Sequence, residues 1–147
     1  MKYKVNKMSL FDAPEDYYLA QCISADFGMG KGIAVEFNKR FGMKTRLIEK
    51  YPQFIIKWKN YHYIADCILE DKVFNLITKA NYYHKPTYES LRVALVLMRY
   101  QAKEKGIKKI AMPKIGCGLD KLRWDKVEQI IKEVFTDTDI EILVCYV

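Results

Sequence analysis

Apolar and polar positions change their period several times along this chain. Tyr3 to Lys7 alternates weakly, as a short strand does, and Tyr17 to Ser24 is an apolar run of strand length suited to a place covered on both faces. Asp12 to Asp16, between them, is rich in turn formers. From Ile33 the period lengthens to that of a helix. Ile33, Phe37 and Phe41 form one stripe with Ala34 beside it, Glu36, Asn38, Lys39 and Arg40 hold the other side, and Gly42 closes the run. Met43 to Lys50 predicts a shorter helix that stops ahead of Pro52. Phe54 to Trp58 and Tyr61 to Ala65 have the residue types of strands and flank Lys59-Asn60, which predicts a hairpin. Lys72 to Thr78 is a further strand that delivers Lys79 to its C-terminal end. Ala80 to Pro86 is an irregular loop. Thr87 then caps a helix whose buried stripe is Leu91, Ala94, Leu95, Met98 and Ala102, with Ser90 at the capping-box position and Gly106 as the stop. Lys108 to Met112 is a strand, Trp124 opens a helix with Val127, Ile130, Ile131, Val134 and Phe135 inward, and Ile140 to Val147 is an almost continuously apolar last strand.

Strands alternating with helices predict an α/β chain, a three-layer α/β/α domain whose expected Phe54–Ala65 hairpin makes the central sheet mixed. Two strand-to-helix junctions are glycine loops. In Met112 to Asp120, Pro113 ends regular pairing and Gly116 and Gly118 let a ligand come close to the main chain. Strand, glycine loop and helix in that order point backbone N–H groups at an anion near a helix start. Phe27 to Ile33, with Gly28, Gly30 and Gly32, is the second such loop. It has neither a P-loop sequence nor dinucleotide-fingerprint spacing, and its glycines fit paired anion loops or plain tight turns. Asp120 would repel a phosphate, so it either caps the next helix or does chemistry on a neighbouring group. Lys79 sits at the sheet edge where α/β folds bind ligands; it is a reactive amine, a phosphate neutraliser or a solvent-facing lysine.

The chain has 147 residues, half of them hydrophobic and 14% aromatic, which fits one domain spanning 1–147 and excludes disorder. No apolar run reaches the roughly 20 residues needed to cross a bilayer, and the start is not that of a signal peptide. A soluble, non-secreted protein is expected, cytoplasmic or, in a eukaryote, nuclear. The four cysteines form no Cys-x-x-Cys pair and His62 and His84 lie far apart, so neither zinc nor disulfides are implied. The excess of 25 basic over 18 acidic residues gives a charge of +7, compatible with nucleic acid, nucleotides or phosphorylated substrates. In the Ala80–Pro86 loop, His84 is an acid–base group or a surface residue, and Tyr82 and Tyr83 stack on a base or pack on the adjacent helix. Cys117, between two glycines, is a small residue that permits tight packing.

Taken together, these stretches resemble the macrodomain family, and within it the terminal ADP-ribose protein glycohydrolase branch. The resemblance covers nearly the whole chain. It runs through Leu10-Phe11, Ala20 to Ser24, Met29 to Val35, Leu76 to Lys79, His84 to Glu89, Met112 to Asp120 and the helix from Trp124. It implies a mixed sheet between helices with ADP-ribose in a cleft at the strand C-terminal ends. It also implies an enzyme that removes ADP-ribose from protein acidic residues or from nucleic acid, in the setting of DNA damage or toxin reversal. Lys79 and Asp120 match the family's catalytic lysine and aspartate, and the lysine marks the branch. The implied binding residues are Ser9, Leu10, Ser24, Met29, Gly30, Gly32, Ile33, Pro113, Ile115, Gly116, Cys117, Gly118 and Leu119. The loops Gly30–Ile33 and Ile115–Leu119 would hold the diphosphate and distal ribose through backbone amides. One position departs: Ser9 stands where an acidic residue commonly contacts the adenine amino group, and Met8 where glycine is usual. No cofactor or metal is implied, and a monomer is expected. The other readings are an ADP-ribose reader without turnover, and a hydrolase of small esters such as O-acetyl-ADP-ribose or of ADP-ribose 1″-phosphate.

Overall fold

The structure is a computed structural model and describes residues 1–61 and 63–147. Six strands form one sheet in the order β1-β6-β5-β2-β4-β3. They are β1 (Lys2–Lys7), β2 (Tyr18–Ser24), β3 (Asp66–Glu70), β4 (Val73–Lys79), β5 (Lys109–Met112) and β6 (Glu141–Tyr146). The four pairings from β1 to β4 are parallel, and β3 runs antiparallel to β4. Helices α1 (Ile33–Phe41), α2 (Met43–Lys50) and α3 (Phe54–Tyr61) lie between β2 and β3 in the chain; α4 (Tyr88–Glu104) follows β4 and α5 (Trp124–Phe135) follows β5.

Successive side chains of the central strands point to opposite faces, and because both faces are covered burial is nearly continuous along β2, β4, β5 and β6. Phe74, Leu76, Ile110, Met112, Ile142 and Val144 pack with Leu91, Leu95, Met98, Ile131 and Phe135 of α4 and α5. Leu19, Ile23, Val73, Ile77 and Leu143 pack with Phe37, Met43, Leu47 and Trp58 of α1 to α3. The three-layer mixed architecture is therefore as the chain's pattern predicts. Thr87 and Ser90 form the capping box of α4, and α1 ends at Gly42 in the left-handed region.

The expected Phe54–Ala65 hairpin is not present: Phe54–Tyr61 is helix α3. Phe54 and Trp58 stand one helical turn apart, with ring centroids at 6.0 Å, and Phe54 stacks on Phe27 at 5.5 Å. Burying Trp58 to 5% exposure while Ile56 stays out follows a helical stripe, not alternation. His62, in the second half of that expected hairpin, lies outside the described residues. The sheet is mixed for another reason. β3 and β4 form the hairpin, Glu70 pairing with Val73 across a turn in which Asp71 takes a left-handed conformation.

Two features of β2 and β4 position the site. Buried Gln21 donates from Nε2 to Asn75 Oδ1 at 2.9 Å, which fixes their register. The register then slips by one residue, so that Lys79 and not Thr78 stands opposite Ser24. Such an irregularity re-aims a side chain at the end of a strand.

Candidate active site

β2 lies between β5 and β4, so the loops leaving these three parallel strands meet at the point where chain order reverses across the sheet. Lys79 ends β4. Its Nζ donates to Asp120 Oδ1 at 2.7 Å, and the two side chains are only 13% and 15% exposed. Asp120 is not a helix cap: Arg123 occupies that position of α5 and no side chain caps it. Asp120 is presented by a tight turn in which Leu122 N donates to Gly116 O at 2.8 Å and Lys121 N to Gly118 O at 3.2 Å. Gly116 has φ 73°, and a methyl there would meet Leu122 Cδ1 at 3.0 Å, so the turn requires glycine. Lys85 Nζ donates to Leu119 O at 2.6 Å, tying the loop after β4 to the loop after β5.

The loop from β2 to α1 forms the opposite wall. Gly32 precedes α1 with φ 63° and ψ −150°, a conformation open only to glycine, and it offers no side-chain cap. A methyl on Gly32 would lie 3.6 Å from Leu119 Cδ1, so the two glycine loops face each other. Among the described residues, the amides of Gly30, Gly32, Ile33 and Ala34 have no acceptor within the protein, nor do those of Gly116, Gly118, Leu119 and Asp120. Free amides on two facing loops, one at a helix start, make an anion cradle.

Asp26 holds this wall and went unnoticed in the sequence. Its Oδ1 accepts from Ser24 Oγ at 2.5 Å and from Gly28 N at 3.0 Å, while Oδ2 accepts from Tyr82 N at 3.0 Å. Ala25 N donates to Lys79 O and Asp26 N to Ala80 O, at 2.9 and 3.2 Å. The Asp-x-Gly spacing of an Asx turn was the available signal. Beyond it Phe27 and Met29 adopt positive φ with buried side chains, and Asn38 Nδ2 donates to Met29 O at 3.1 Å. That strain is held by packing.

The remaining sequence candidates divide. Ser24, Met29, Gly30, Gly32 and Ile33 lie on the β2 side, and Pro113, Ile115, Gly116, Cys117, Gly118 and Leu119 on the β5 side. Ile115 turns its side chain into the core and contributes main chain only. Cys117 Sγ donates to Ile115 O at 3.3 Å, and burial pushes its thiol pKa up to about 11. Burial, with Asp120 nearby, also raises the Cys22 thiol. Ser9 and Leu10 lie in the turn after β1, where Leu10 is buried in the core shared with α1 and Phe11 packs edge-on against Phe37 at 5.0 Å. Ser9 Oγ accepts from Phe11 N at 3.3 Å, so its oxygen caps a 3-10 turn. His84 Nδ1 accepts from Asn81 N at 3.2 Å. The rings of Tyr82 and Tyr83 contact each other and are largely exposed. A separate hollow of about 460 Å3 runs along α5 between Asp125, Glu128, Lys132 and Glu133 and touches none of these loops.

A mixed-sheet α/β/α sandwich thus carries an amide-lined cleft and a lysine–carboxylate pair at its switch point. A family model for the Macro domain matches residues 23–131, and the chain belongs to the macrodomain family. It is similar to ADP-ribose glycohydrolase OARD1 of Bos taurus, 42% identical over 141 residues, covering 94% of this chain and 87% of that protein. The Homo sapiens protein of the same name is 41% identical over the same shares of the two chains. The macrodomain of Mycobacterium tuberculosis DarG has the same fold, with a TM-score of 0.79 at 21% identity, over 99% of this chain and 97% of that one.

Proposed function

We propose that this protein is an ADP-ribose-binding macrodomain hydrolase that removes ADP-ribose from modified macromolecules, through a lysine adduct at the distal ribose. The observation that carries the reading is the Lys79 Nζ–Asp120 Oδ1 contact of 2.7 Å in the wall of an amide-lined cleft. The diphosphate lies on the free amides of the Gly30–Ile33 and Ile115–Leu119 loops, and α1 directs the positive end of its dipole at it. The distal ribose then rests between those loops, beside Lys79.

Amine nucleophilicity requires the loss of a proton, and Asp120 is placed to take it. Lys79 Nζ bonds to C1″ as the bond from C1″ to the attached group breaks. Asp120 passes the proton to that leaving group. The ring-opened adduct is a Schiff base, which can rearrange to a more stable lysyl adduct. Water activated by Asp120 adds to the Schiff-base carbon, expels the Lys79 amine and releases ADP-ribose. Cys117, held as a thiol at neutral pH, does not compete as nucleophile.

In this reading residues 1–147 form one macrodomain, monomeric and cytoplasmic, and its partners are ADP-ribosylated protein or nucleic acid. No helix among the described residues is long and apolar enough to cross a membrane. Ser9 Oγ accepts from Phe11 N and keeps a second lone pair with which it can accept from an adenine amino group. The test is release of ADP-ribose from a glutamate-linked ADP-ribosylated protein and from an ADP-ribosylated oligonucleotide. Activity is expected in the wild type and absent in Lys79→Ala. Full activity in that variant would sink the mechanism.

A further inference from the structure

The loop after β4 carries a feature that the proposed reaction does not use. Tyr82 and Tyr83 are 64% and 67% exposed. Their ring centroids are 5.3 Å apart at 89°, and Tyr83 meets His84 at 4.6 Å. The backbone beneath them is held in place. Tyr82 N donates to Asp26 Oδ2, Gly28 abuts Tyr82 Cβ so closely that a methyl would sit 2.7 Å away, and His84 N donates to Asn81 O at 3.0 Å. A fixed backbone thus displays two aromatic faces to solvent.

Their place relative to the cleft matters. The Ser9–Leu10 turn follows β1 at one edge of the sheet, whereas Lys79 ends β4, on the far side of β2. Tyr82 and Tyr83 lie three and four residues beyond Lys79, and Tyr82 N donates to Asp26 Oδ2 on the β2 wall, so they border the Lys79 end of the cleft. The same rim carries exposed Lys31, Lys85 and Lys121, with Lys85 anchored on Leu119 O, and the chain has no acidic residue from Val73 to Tyr88.

We propose that Tyr82 and Tyr83 are the specificity-determining residues for the leaving group, and that they stack an unpaired nucleobase while the rim lysines hold flanking phosphates. This rests on the reading of the cleft as an ADP-ribose hydrolase site. Aromatic faces beside a cationic track are the means by which proteins hold single-stranded nucleic acid. An acidic peptide would use the lysines but leave the two rings without a role.

The experiment compares wild type, Tyr82→Ala/Tyr83→Ala and Tyr82→Phe/Tyr83→Phe on three substrates. These are a single-stranded oligonucleotide ADP-ribosylated on a base, a glutamate-linked ADP-ribosylated protein, and O-acetyl-ADP-ribose. The alanine variant is expected to lose roughly 10- to 100-fold in kcat/KM on the oligonucleotide, as lost stacking implies. It should change less than about threefold on the other two, and the phenylalanine variant should behave as wild type because stacking needs the ring and not the hydroxyl. An undiminished rate of the alanine variant on the oligonucleotide overturns the proposal while leaving the hydrolase reading intact. So does a loss shared equally by all three substrates, or one confined to the protein. A wild type inert toward every substrate removes both.

Discussion

Lys79 Nζ and Asp120 Oδ1 meet at 2.7 Å although the residues lie 41 positions apart, one at the end of β4 and the other on the loop after β5, and these strands are not neighbours in the sheet. The pair depends on fold, and each member is separable by chemistry. Lys79→Arg keeps a cation opposite Asp120 but never supplies a neutral nucleophile. Lys79→Arg and Asp120→Asn are each expected to lose at least about 100-fold in kcat, the scale of lost nucleophilic or acid–base catalysis. Thermal unfolding should place Lys79→Arg within a few degrees of wild type. An active arginine variant contradicts the assigned role.

Asp26 joins the two loops that flank Lys79, through Gly28 N and Tyr82 N. Asp26→Asn retains one acceptor oxygen but cannot accept from both amides, since the second oxygen becomes an NH2 group. The expected cost is about 1–2 kcal/mol, read as a fall in Tm of about 2–8 °C. Activity should fall with it, because Lys79 loses its support. An unchanged Tm and rate would show that the clamp is dispensable.

Two glycines separate packing from ligand contact. A methyl on Gly28 meets Tyr82 Cβ at 2.7 Å, whereas one on Gly118 has nothing within 4 Å. Gly28→Ala is expected to destabilise by about 1–3 kcal/mol through forced displacement of the Tyr82 backbone. Gly118→Ala should leave Tm unchanged and weaken ADP-ribose binding by calorimetry, since its side chain would enter the cleft. Normal binding by Gly118→Ala would place the ligand elsewhere.

Much of this was legible in the chain, and the part that was not has physical causes. The α4 stripe from Leu91 to Ala102 and the Thr87–Ser90 box are local signals, and the structure repeats them. The two glycine loops also announced themselves, because few residues tolerate such backbones. Helix α3 was hidden since Phe-Ile-Ile-x-Trp suits either period, and its choice was made by Phe27 and the sheet beneath. The register slip that sets Lys79 opposite Ser24 depends on pairing between distant strands and leaves no local mark. Asp26 leaves only a local Asx-turn mark through Gly28, and its clamp role is hidden because Tyr82, 56 residues on, meets it only in the folded chain.

Alkaline pH gives an independent check on packing. Burial and a hydrogen bond to Glu141 push the Tyr17 hydroxyl up to about 12, and burial with Glu128 raises Tyr3 as well. In the unfolded chain tyrosine titrates near 10. The folded state therefore holds these protons more tightly, and their contribution is full below about pH 10 and lost as pH rises toward 12. Urea unfolding should show stability declining over that window, with a shallower decline in Tyr3→Phe/Tyr17→Phe. Identical slopes would mean that the two hydroxyls are not buried as described.

The most direct measurement is reductive trapping of the adduct. Wild-type protein is incubated with ADP-ribose, borohydride is added, and the digest is mapped by mass spectrometry. A reduced ADP-ribose adduct confined to the peptide bearing Lys79, and missing from Lys79→Arg, is the predicted result. A protein that turns over substrate yet traps nothing at Lys79, or traps the sugar at another lysine, would contradict the account.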